Sequence, residues 1–138
     1  MNKIINDLTI VIATLGGESL PAVLNNIFSS SYVPYQIIIV KPLNINLEES
    51  IYKNSKIKII SSYTFGQVLQ RSIGFANCKT NFVLQLDDDI ILEKKSIEYL
   101  YRSIAAKKNK ASIAPILKYY EDNKSVYNIK SINISDNR

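Results

Sequence analysis

Three consecutive carboxylates, Asp87, Asp88 and Asp89, directly follow an apolar run at residues 82–86. A short run of this composition between turn residues predicts a buried strand, which must end before the acids. Ligands of open α/β sheets bind beyond the carboxyl ends of the strands. Adjacent carboxylates repel one another unless a proton or a cation lies among them. A hard divalent cation that also binds substrate phosphates would neutralise them. The acids therefore predict a metal-dependent site for a phosphorylated ligand.

The same acids have a simpler structural explanation. Carboxylates also follow strands as solvated turn residues, or as the first residues of a helix, where the helix dipole favours negative charge. A single Asp would carry little information. Three in succession, with no basic residue between Asn81 and Glu93, favour the functional interpretation.

The residue types that the chain lacks restrict its chemistry. It has no His and a single Cys, Cys78. Nucleophiles and general bases that depend on His, and zinc sites of the Cys/His type, are therefore excluded. A lone Cys cannot form an intramolecular disulfide, which agrees with a cytoplasmic location. We expect Cys78 to be a packing residue.

Length and composition predict one soluble domain over residues 1–138, with 46% hydrophobic and 21% charged residues. The net charge of +5 suits an anionic partner such as a nucleotide or a membrane surface. There is no basic stripe with interleaved aromatic residues, so nucleic acid is not an expected partner. No apolar stretch approaches the ~20 residues that span a bilayer.

Strand patterns alternate with helix patterns along the chain. This alternation predicts an α/β fold with right-handed crossovers and a mainly parallel sheet covered by helices on both faces. We expect a core over about residues 7–117 and a polar tail over about 121–138. The predicted strands are residues 8–13, 35–40, 56–60 (nearer an edge), 81–86 and 111–117, with a short strand or hairpin over 126–134.

Local signals predict where the helices begin. Ser19 is placed to cap a helix that has Pro21 in its first turn. Thr64 and Gln67 match the capping-box pattern and predict a second helix, and a third begins near Ser96. The residues of the second helix that are predicted to face the core are Phe65, Val68, Leu69, Ser72 or Ile73, and Ala76.

Three segments, in the order in which they occur along the chain, resemble the N-terminal, nucleotide-sugar-binding half of a family 2 glycosyltransferase. Residues 8–14 resemble its opening strand, residues 64–74 its helix with an Arg-x-x-Gly element, and residues 82–89 its apolar strand ending in Asp-x-Asp. The resemblance implies the GT-A fold, a Rossmann-like three-layer sandwich. It covers roughly residues 7–117, so the chain is expected to be truncated relative to that family.

The resemblance also implies a donor and a cofactor. The donor would be a nucleotide-diphosphate sugar, with a UDP-sugar favoured, bridged by Mn²⁺ or Mg²⁺ to the acids. Asp87 and Asp89 are implied as the metal-site residues, with Asp89 the direct ligand. Asp87 would also contact ribose or sugar hydroxyls, and Asp88 would join the nucleotide-sugar site or make a further metal contact.

Four further positions are implied to contact the donor. Thr14, with the neighbouring backbone of Ala13 and Leu15, would line the pocket for the base and ribose. Arg71 would contact the base or the donor phosphates, and its structural alternative is a surface arginine on a helix.

The acceptor would be a glycan or a lipid-linked molecule in bacterial polysaccharide synthesis. Peripheral membrane association and a homodimer are left open.

Two departures from the family pattern limit what can be carried over. The second strand ends in Lys41, where the family commonly has an Asp that contacts the base, and we expect Lys41 to lie in solvent or to meet a phosphate. The acceptor-side carboxylate that acts as general base in inverting transfer has no counterpart. Glu121 and Asp122 lie in a polar stretch without a supporting motif, so no catalytic residue is assigned.

Three other functions therefore remain open. The chain could be a non-catalytic or truncated nucleotide-binding or interaction domain that lacks the acceptor half. A nucleotidyltransferase or phosphotransferase is disfavoured, because Gly16 and Gly17 lack the length and the Lys of a phosphate-binding loop. The third is a structural fragment completed by another chain, which would expose an apolar sheet edge.

Overall fold

The structure of this chain is a computed structural model that describes residues 1–107, 111–115, 117 and 118. The strands are β1 (Lys3–Ala13), β2 (Tyr32–Pro42), β3 (Ile57–Ser62) and β4 (Phe82–Asp87). The helices are α1 (Leu20–Ser29), α2 (Glu49–Tyr52), α3 (Gln67–Ala76) and α4 (Ser96–Ala105). The predicted polar tail over residues 121–138, with its strand or hairpin, lies outside the described residues.

The strands form one parallel sheet in the order β3-β2-β1-β4. β1 and β2 lie in the middle, where their β-branched runs are buried on both faces, as strands of a covered parallel sheet require. β3 lies at an edge, as its partly alternating sequence predicts. The expectation of a mainly parallel sheet is therefore confirmed.

Alternate side chains of the central strands enter two separate cores. Ile10 and Ile39 belong to the core shared with α1, α2 and α4, whereas Val11 and Ile38 pack on the opposite face against Ile73 of α3. The helices thus cover both faces, which confirms the three-layer sandwich. No helix within the described residues is both long and apolar enough to cross a membrane.

Helix α3 does not bury the stripe that its apolar residues predict. Val68 is 77% exposed and Phe65 is 64% exposed, and the other members of that stripe except Ile73, namely Leu69, Ser72 and Ala76, are exposed too. The buried residues are Gln70 and Gly74. A Cβ atom on Gly74 would lie 2.3 Å from Val11 Cγ1, so α3 approaches β1 too closely for a larger side chain. Because the two elements lie so close together, the helix packs on the sheet through the face that carries Gly74 and leaves its apolar face exposed.

One predicted helix cap is wrong, and a second is confirmed in position only. The N-cap of α3 is Gly66, with φ 142°, and no side chain caps the helix, so Thr64 and Gln67 do not form a capping box. Ser19 stands at the N-cap of α1 but makes no capping hydrogen bond. Its hydroxyl donates instead to the backbone oxygen of Asp88, at 2.8 Å. A tertiary contact thus takes the place of the local capping bond at Ser19.

The predicted strand over residues 111–117 is not present in its described part. Residues 111–115 form no strand, and Lys118 makes only an isolated bridge. Pro115 has no N–H to donate to a ladder, which disfavours regular pairing there.

Cys78 is half-buried against the α3-side core, and burial raises the pKa of its thiol. The expectation of a packing role for Cys78 is confirmed.

Replacing Gly74 by Ala tests the close approach of α3. Ala favours helices intrinsically by about 1 kcal/mol over Gly, but here its methyl group overlaps Val11. We expect Gly74→Ala to lower the free energy of unfolding by about 1–3 kcal/mol, as overpacking does. The measurement is urea denaturation, with Ser72→Ala on the exposed side of the same helix as the control. A Gly74→Ala protein as stable as the wild type would contradict the packing described.

Candidate functional site

The carboxyl ends of three strands lie level at one edge of the sheet. Ala13, the last residue of β1, pairs with Val40 of β2 on one side and with Asp87 of β4 on the other. The residues that follow these positions, Thr14, Lys41 and Asp88, therefore emerge side by side. This is the edge at which open α/β sheets bind ligands.

Thr14 connects the end of β1 with the acidic segment. Its side chain is buried and its hydroxyl donates to Asp88 Oδ2. The Thr14 hydroxyl oxygen itself accepts from the Gly16 backbone N–H at 2.9 Å, which holds the turn after β1. The Ser19 hydroxyl donates to the backbone oxygen of Asp88, so Asp88 is bound to the β1–α1 turn at two points. One carboxylate oxygen of Asp88 is thus engaged within the protein.

Asp87 lies on the opposite side of β4 and pairs with Arg71 of α3. Arg71 Nη2 lies 2.6 Å from Asp87 Oδ1 and 3.3 Å from Gln67 Oε1. Gln85 also donates to Asp87 Oδ1, at 3.2 Å. The side chains are 26% and 49% exposed, and a pair this exposed is worth about 1 kcal/mol or less. Arg71 therefore reaches the site, and another ion could displace it from Asp87 at small cost.

Asp89 differs from its two neighbours because its side chain is exposed and makes no hydrogen bond or ion pair within the described part of the chain. In that same part, no three His, Cys, Asp or Glu side chains converge on a point where they could hold a metal ion. Mg²⁺ is commonly held by one or two carboxylates together with substrate phosphates and water. Asp89, with the weakly held Asp87, fits a cation that arrives with a phosphorylated ligand, rather than a cage formed in advance.

Gln70 is a residue of this edge that the sequence pattern missed. It is fully buried, and its Nε2 donates to Thr14 O at 2.9 Å and to Val40 O at 2.8 Å. One side chain of α3 thereby holds the ends of β1 and β2 together. The sequence did contain one indication: Gln70 lies four residues before Gly74, so the two residues share one face of the helix.

Asn26 of α1 is a second residue that was missed. Its Nδ2 donates to Leu92 O at 2.9 Å, and its Oδ1 accepts from the Leu92 N–H at 2.8 Å. The side chain thus satisfies both backbone groups of Leu92, as a neighbouring strand would. Ser31 N–H donates to Lys94 O at 2.8 Å. The segment that carries Asp87, Asp88 and Asp89 is therefore fastened at both ends, by Thr14 before it and by α1 after it.

Lys41 does not lie in solvent as expected. Its side chain is 4% exposed, and Nζ donates to Ser61 Oγ at 3.2 Å and to Pro42 O at 3.4 Å. The other predicted pocket residues differ in exposure: Ala13 is buried at the end of β1, while Leu15 is exposed in the turn beyond Thr14. Gly16, with φ 82°, allows this turn to pass close to Ile45.

The chain is similar to known glycosyltransferase sequences and structures. A family model described as glycosyl transferase family 2 matches residues 9–136. S. aureus TarS residues 1–349, in complex with UDP-GlcNAc, matches at 16% identity and a TM-score of 0.56, over 72% of this chain and 31% of that one. A second structure of S. aureus TarS 1–349 matches at 13% identity and a TM-score of 0.59, over 86% of this chain and 43% of that one. The chain thus spans less than half of those structures, and no curated protein matches it.

Removing the Gln70 amide tests the connection between α3 and the site. Gln70→Leu keeps the size of the side chain and deletes both hydrogen bonds, leaving two buried carbonyls with fewer donors. We expect a loss of about 2–4 kcal/mol in the free energy of unfolding, from one to two for each bond. The measurement is urea denaturation, with Gln67→Leu on the exposed face of α3 as the control. Equal stability of the two variants would show that the Gln70 bonds do not hold the strands.

Proposed function

The chain belongs to glycosyl transferase family 2, and on that premise we propose that it binds a nucleotide-diphosphate sugar beyond the carboxyl ends of β1, β2 and β4. The observation that carries the proposal is that Thr14 contacts Asp88 and Arg71 contacts Asp87 at this one edge, where Asp89 is the next residue of the chain. The donor that we propose is a UDP-sugar. UDP-GlcNAc in the similar S. aureus TarS structure supports that choice.

Asp89 and Asp87 would hold a divalent cation, Mn²⁺ or Mg²⁺, that enters with the donor. The cation would neutralise negative charge that develops on the leaving diphosphate. Arg71 lies beside Asp87, where its guanidinium can contact donor phosphates once it is released from the carboxylate. Asp88, already joined to Thr14, would act chiefly by keeping the turn after β1 in place.

The turn after β1 would receive the nucleoside. Ala13, Thr14 and Leu15 lie at the middle of the strand edge, between the acids of β4 and the end of β2. Gln70 holds the two strand ends, so this part of the strand edge keeps its place without a ligand. Such preorganisation lowers the entropic cost of binding.

Transfer to an acceptor requires more than donor binding. A carboxylate must deprotonate the acceptor hydroxyl in an inverting reaction. Glu121 and Asp122 lie outside the described residues, and we assign the general base to no residue of this chain. The activity that we propose for the whole protein is glycosyl transfer to a glycan or lipid-linked acceptor in a bacterial polysaccharide pathway, in the cytoplasm.

A second candidate is a non-catalytic nucleotide-binding or interaction domain. The internal pairing of Asp87 with Arg71 and of Asp88 with Thr14 favours it, because two of the three acids already have partners. The two functions differ in their dependence on a divalent cation. A non-catalytic domain would bind nucleotide equally with and without the cation, or would not bind it.

Calorimetric titration of UDP-GlcNAc with and without Mn²⁺ distinguishes these candidates. We expect Mn²⁺ to tighten the binding of UDP-GlcNAc to the wild type. In the presence of Mn²⁺, Asp89→Asn should bind UDP-GlcNAc about tenfold or more weakly than the wild type, because the amide lacks the charge that a hard cation prefers. Glu93→Gln, an exposed acid in the same segment, is the control and should bind like the wild type. Binding that is indifferent to Mn²⁺, or no binding of nucleotide, would reject the metal-dependent donor site and support the non-catalytic domain.

The role of Arg71 is tested by Arg71→Met in the same titration. If the guanidinium contacts donor phosphates, the variant should bind UDP-GlcNAc about tenfold more weakly, because a hydrogen bond between charged groups is lost. Arg102→Met on α4, which removes a similar pair with Glu98, is the control. Unchanged or tighter binding in Arg71→Met would mean that Arg71 only competes with the cation for Asp87.

A further inference from the structure

A second cavity, of about 190 Å³, lies away from the acids, towards the amino-terminal ends of β3 and β4. Its lining includes Thr9 of β1 and Gln36 of β2, which are strand partners, and Lys58 of β3. Thr9 lies four residues before Ala13, the strand partner of Asp87, which is about 13 Å along β1 at 3.3 Å per residue. The cavity is therefore separate from the candidate donor site.

The cavity lies where the apolar core beneath α3 ends. Val11 and Ile38 belong to that core. Thr9 and Gln36 precede them by two residues on the same strands, so their side chains lie on the same face of the sheet. Beyond the last residue of α3, residues 77–80 lead to β4 and include three of the residues that line the cavity. Polar side chains of the sheet thus meet a polar connection at this point.

The pairing of β1 with β2 is interrupted beside the cavity. Ile5 is opposite Pro34, and the next pair is Thr9 with Gln36, so Tyr35 alone faces three residues of β1. Tyr35 leaves the regular ladder here and lines the cavity. Bulges of this kind are over-represented next to functional sites, where they redirect a side chain.

Two ammonium groups line the cavity, those of Lys58 and Lys79, and no carboxylate lines it within the described chain. Neither lysine forms an ion pair with a described residue, whereas three other basic side chains do. Lys58 is partly buried, and its Nζ donates to the neutral Asn77 Oδ1 at 3.2 Å. An ammonium has three donors, so two of them remain for a ligand. Like charges that share a site repel one another unless an opposite charge lies among them.

Side chains around the ammonium groups are held in place by the fold. Asn77 Nδ2 donates to Ile73 O at 2.9 Å at the end of α3, which orients its Oδ1 towards Lys58. Thr9 is 1% exposed, and its Oγ1 lies 2.8 Å from Thr80 Oγ1. Each hydroxyl has one proton, so the Thr9 proton is free for an anion when Thr80 donates to Thr9. The cavity thus combines two positive charges with a buried neutral donor.

We propose that this cavity binds a phosphoryl group, either free as inorganic phosphate or carried by an anionic lipid headgroup. Ammonium groups and neutral donors match the several acceptor oxygens of a phosphate, and hydrogen bonds between charged groups are the strong ones. The volume of about 190 Å³ is smaller than the roughly 300–1,000 Å³ of pockets for drug-sized ligands. A phosphoryl group therefore fits the cavity, and a whole nucleotide sugar does not. The inference is independent of the proposed donor site.

The inference is tested by calorimetric titration of inorganic phosphate at fixed ionic strength, without a divalent cation. We expect the wild type to bind phosphate, and Lys58→Met and Lys79→Met each to bind it about tenfold or more weakly, because a hydrogen bond between charged groups is lost. Lys79 is exposed, so Lys79→Met should unfold at the temperature of the wild type. If Lys58→Met does not fold, Lys79→Met decides the outcome by itself.

Two control variants separate the cavity from the net charge and from the donor site. Lys95→Met removes an exposed ammonium outside the cavity and should bind phosphate like the wild type. Arg71→Met alters the candidate donor site and should also bind phosphate like the wild type. Conversely, Lys79→Met should bind UDP-GlcNAc with Mn²⁺ as the wild type does.

Sedimentation with phosphatidylcholine vesicles, with and without phosphatidic acid, distinguishes the two sources of the phosphoryl group. Binding to the phosphatidic acid vesicles that Lys79→Met weakens and Lys95→Met preserves would assign a lipid headgroup. Binding of inorganic phosphate without binding to these vesicles would assign a free ion.

Three results would overturn the inference and leave the proposed function intact. The first is a wild type that binds neither phosphate nor the phosphatidic acid vesicles. The second is an equal effect of Lys79→Met and Lys95→Met, which would reflect net charge alone. The third is phosphate binding that only Arg71→Met removes, which would place the anion at the acids.

Discussion

The candidate site depends on the close contact between α3 and the two central strands. Gly74 lets the helix approach Val11, and at that distance the Gln70 amide reaches the carbonyls of Thr14 and Val40. The ends of β1 and β2 are thus held by a side chain from a third element. Since Thr14 in turn holds Asp88, one glycine and one glutamine support the strand edge to which the acids are attached. A larger side chain at position 74 would displace α3, and with it the support of this edge.

The fold followed from the sequence where hydrophobic periodicity and strand composition agreed. The β-branched runs of β1 and β2, the helical stripe of α1 and the apolar run before Asp87 predicted the order of the elements and the parallel sheet. The face of α3 could not be predicted in the same way. Its apolar residues, such as Val68 and Leu69, lie at helical spacing and imitate a core stripe, although the helix packs through Gln70 and Gly74. Periodicity reports which residues are apolar, whereas close packing selects for small size.

The site was predicted in part for a similar reason. The acids were recognisable as candidates because three adjacent like charges after an apolar strand repel one another. Their separate partners were not, because Arg71 and Thr14 come from distant parts of the chain and meet Asp87 and Asp88 only in the folded state. Lys41 was expected in solvent, since a lysine after a strand usually is. Its ammonium donates to Ser61 of β3, which only the strand pairing brings beside it.

The strand edge therefore has acids at the end of β4 and an ammonium at the end of β2, about 10 Å away by the strand spacing. The exposed pair between Arg71 and Asp87 is weak, about 1 kcal/mol or less, so a cation with its phosphates can replace it. The buried Lys41 has no carboxylate to leave among the described residues, so its charge stays in place. The two ends of this edge therefore differ in how easily their charges can be freed. The Asp87 carboxylate can exchange its partner at small cost, whereas the Lys41 ammonium lies buried against two neutral oxygens, those of Ser61 and Pro42.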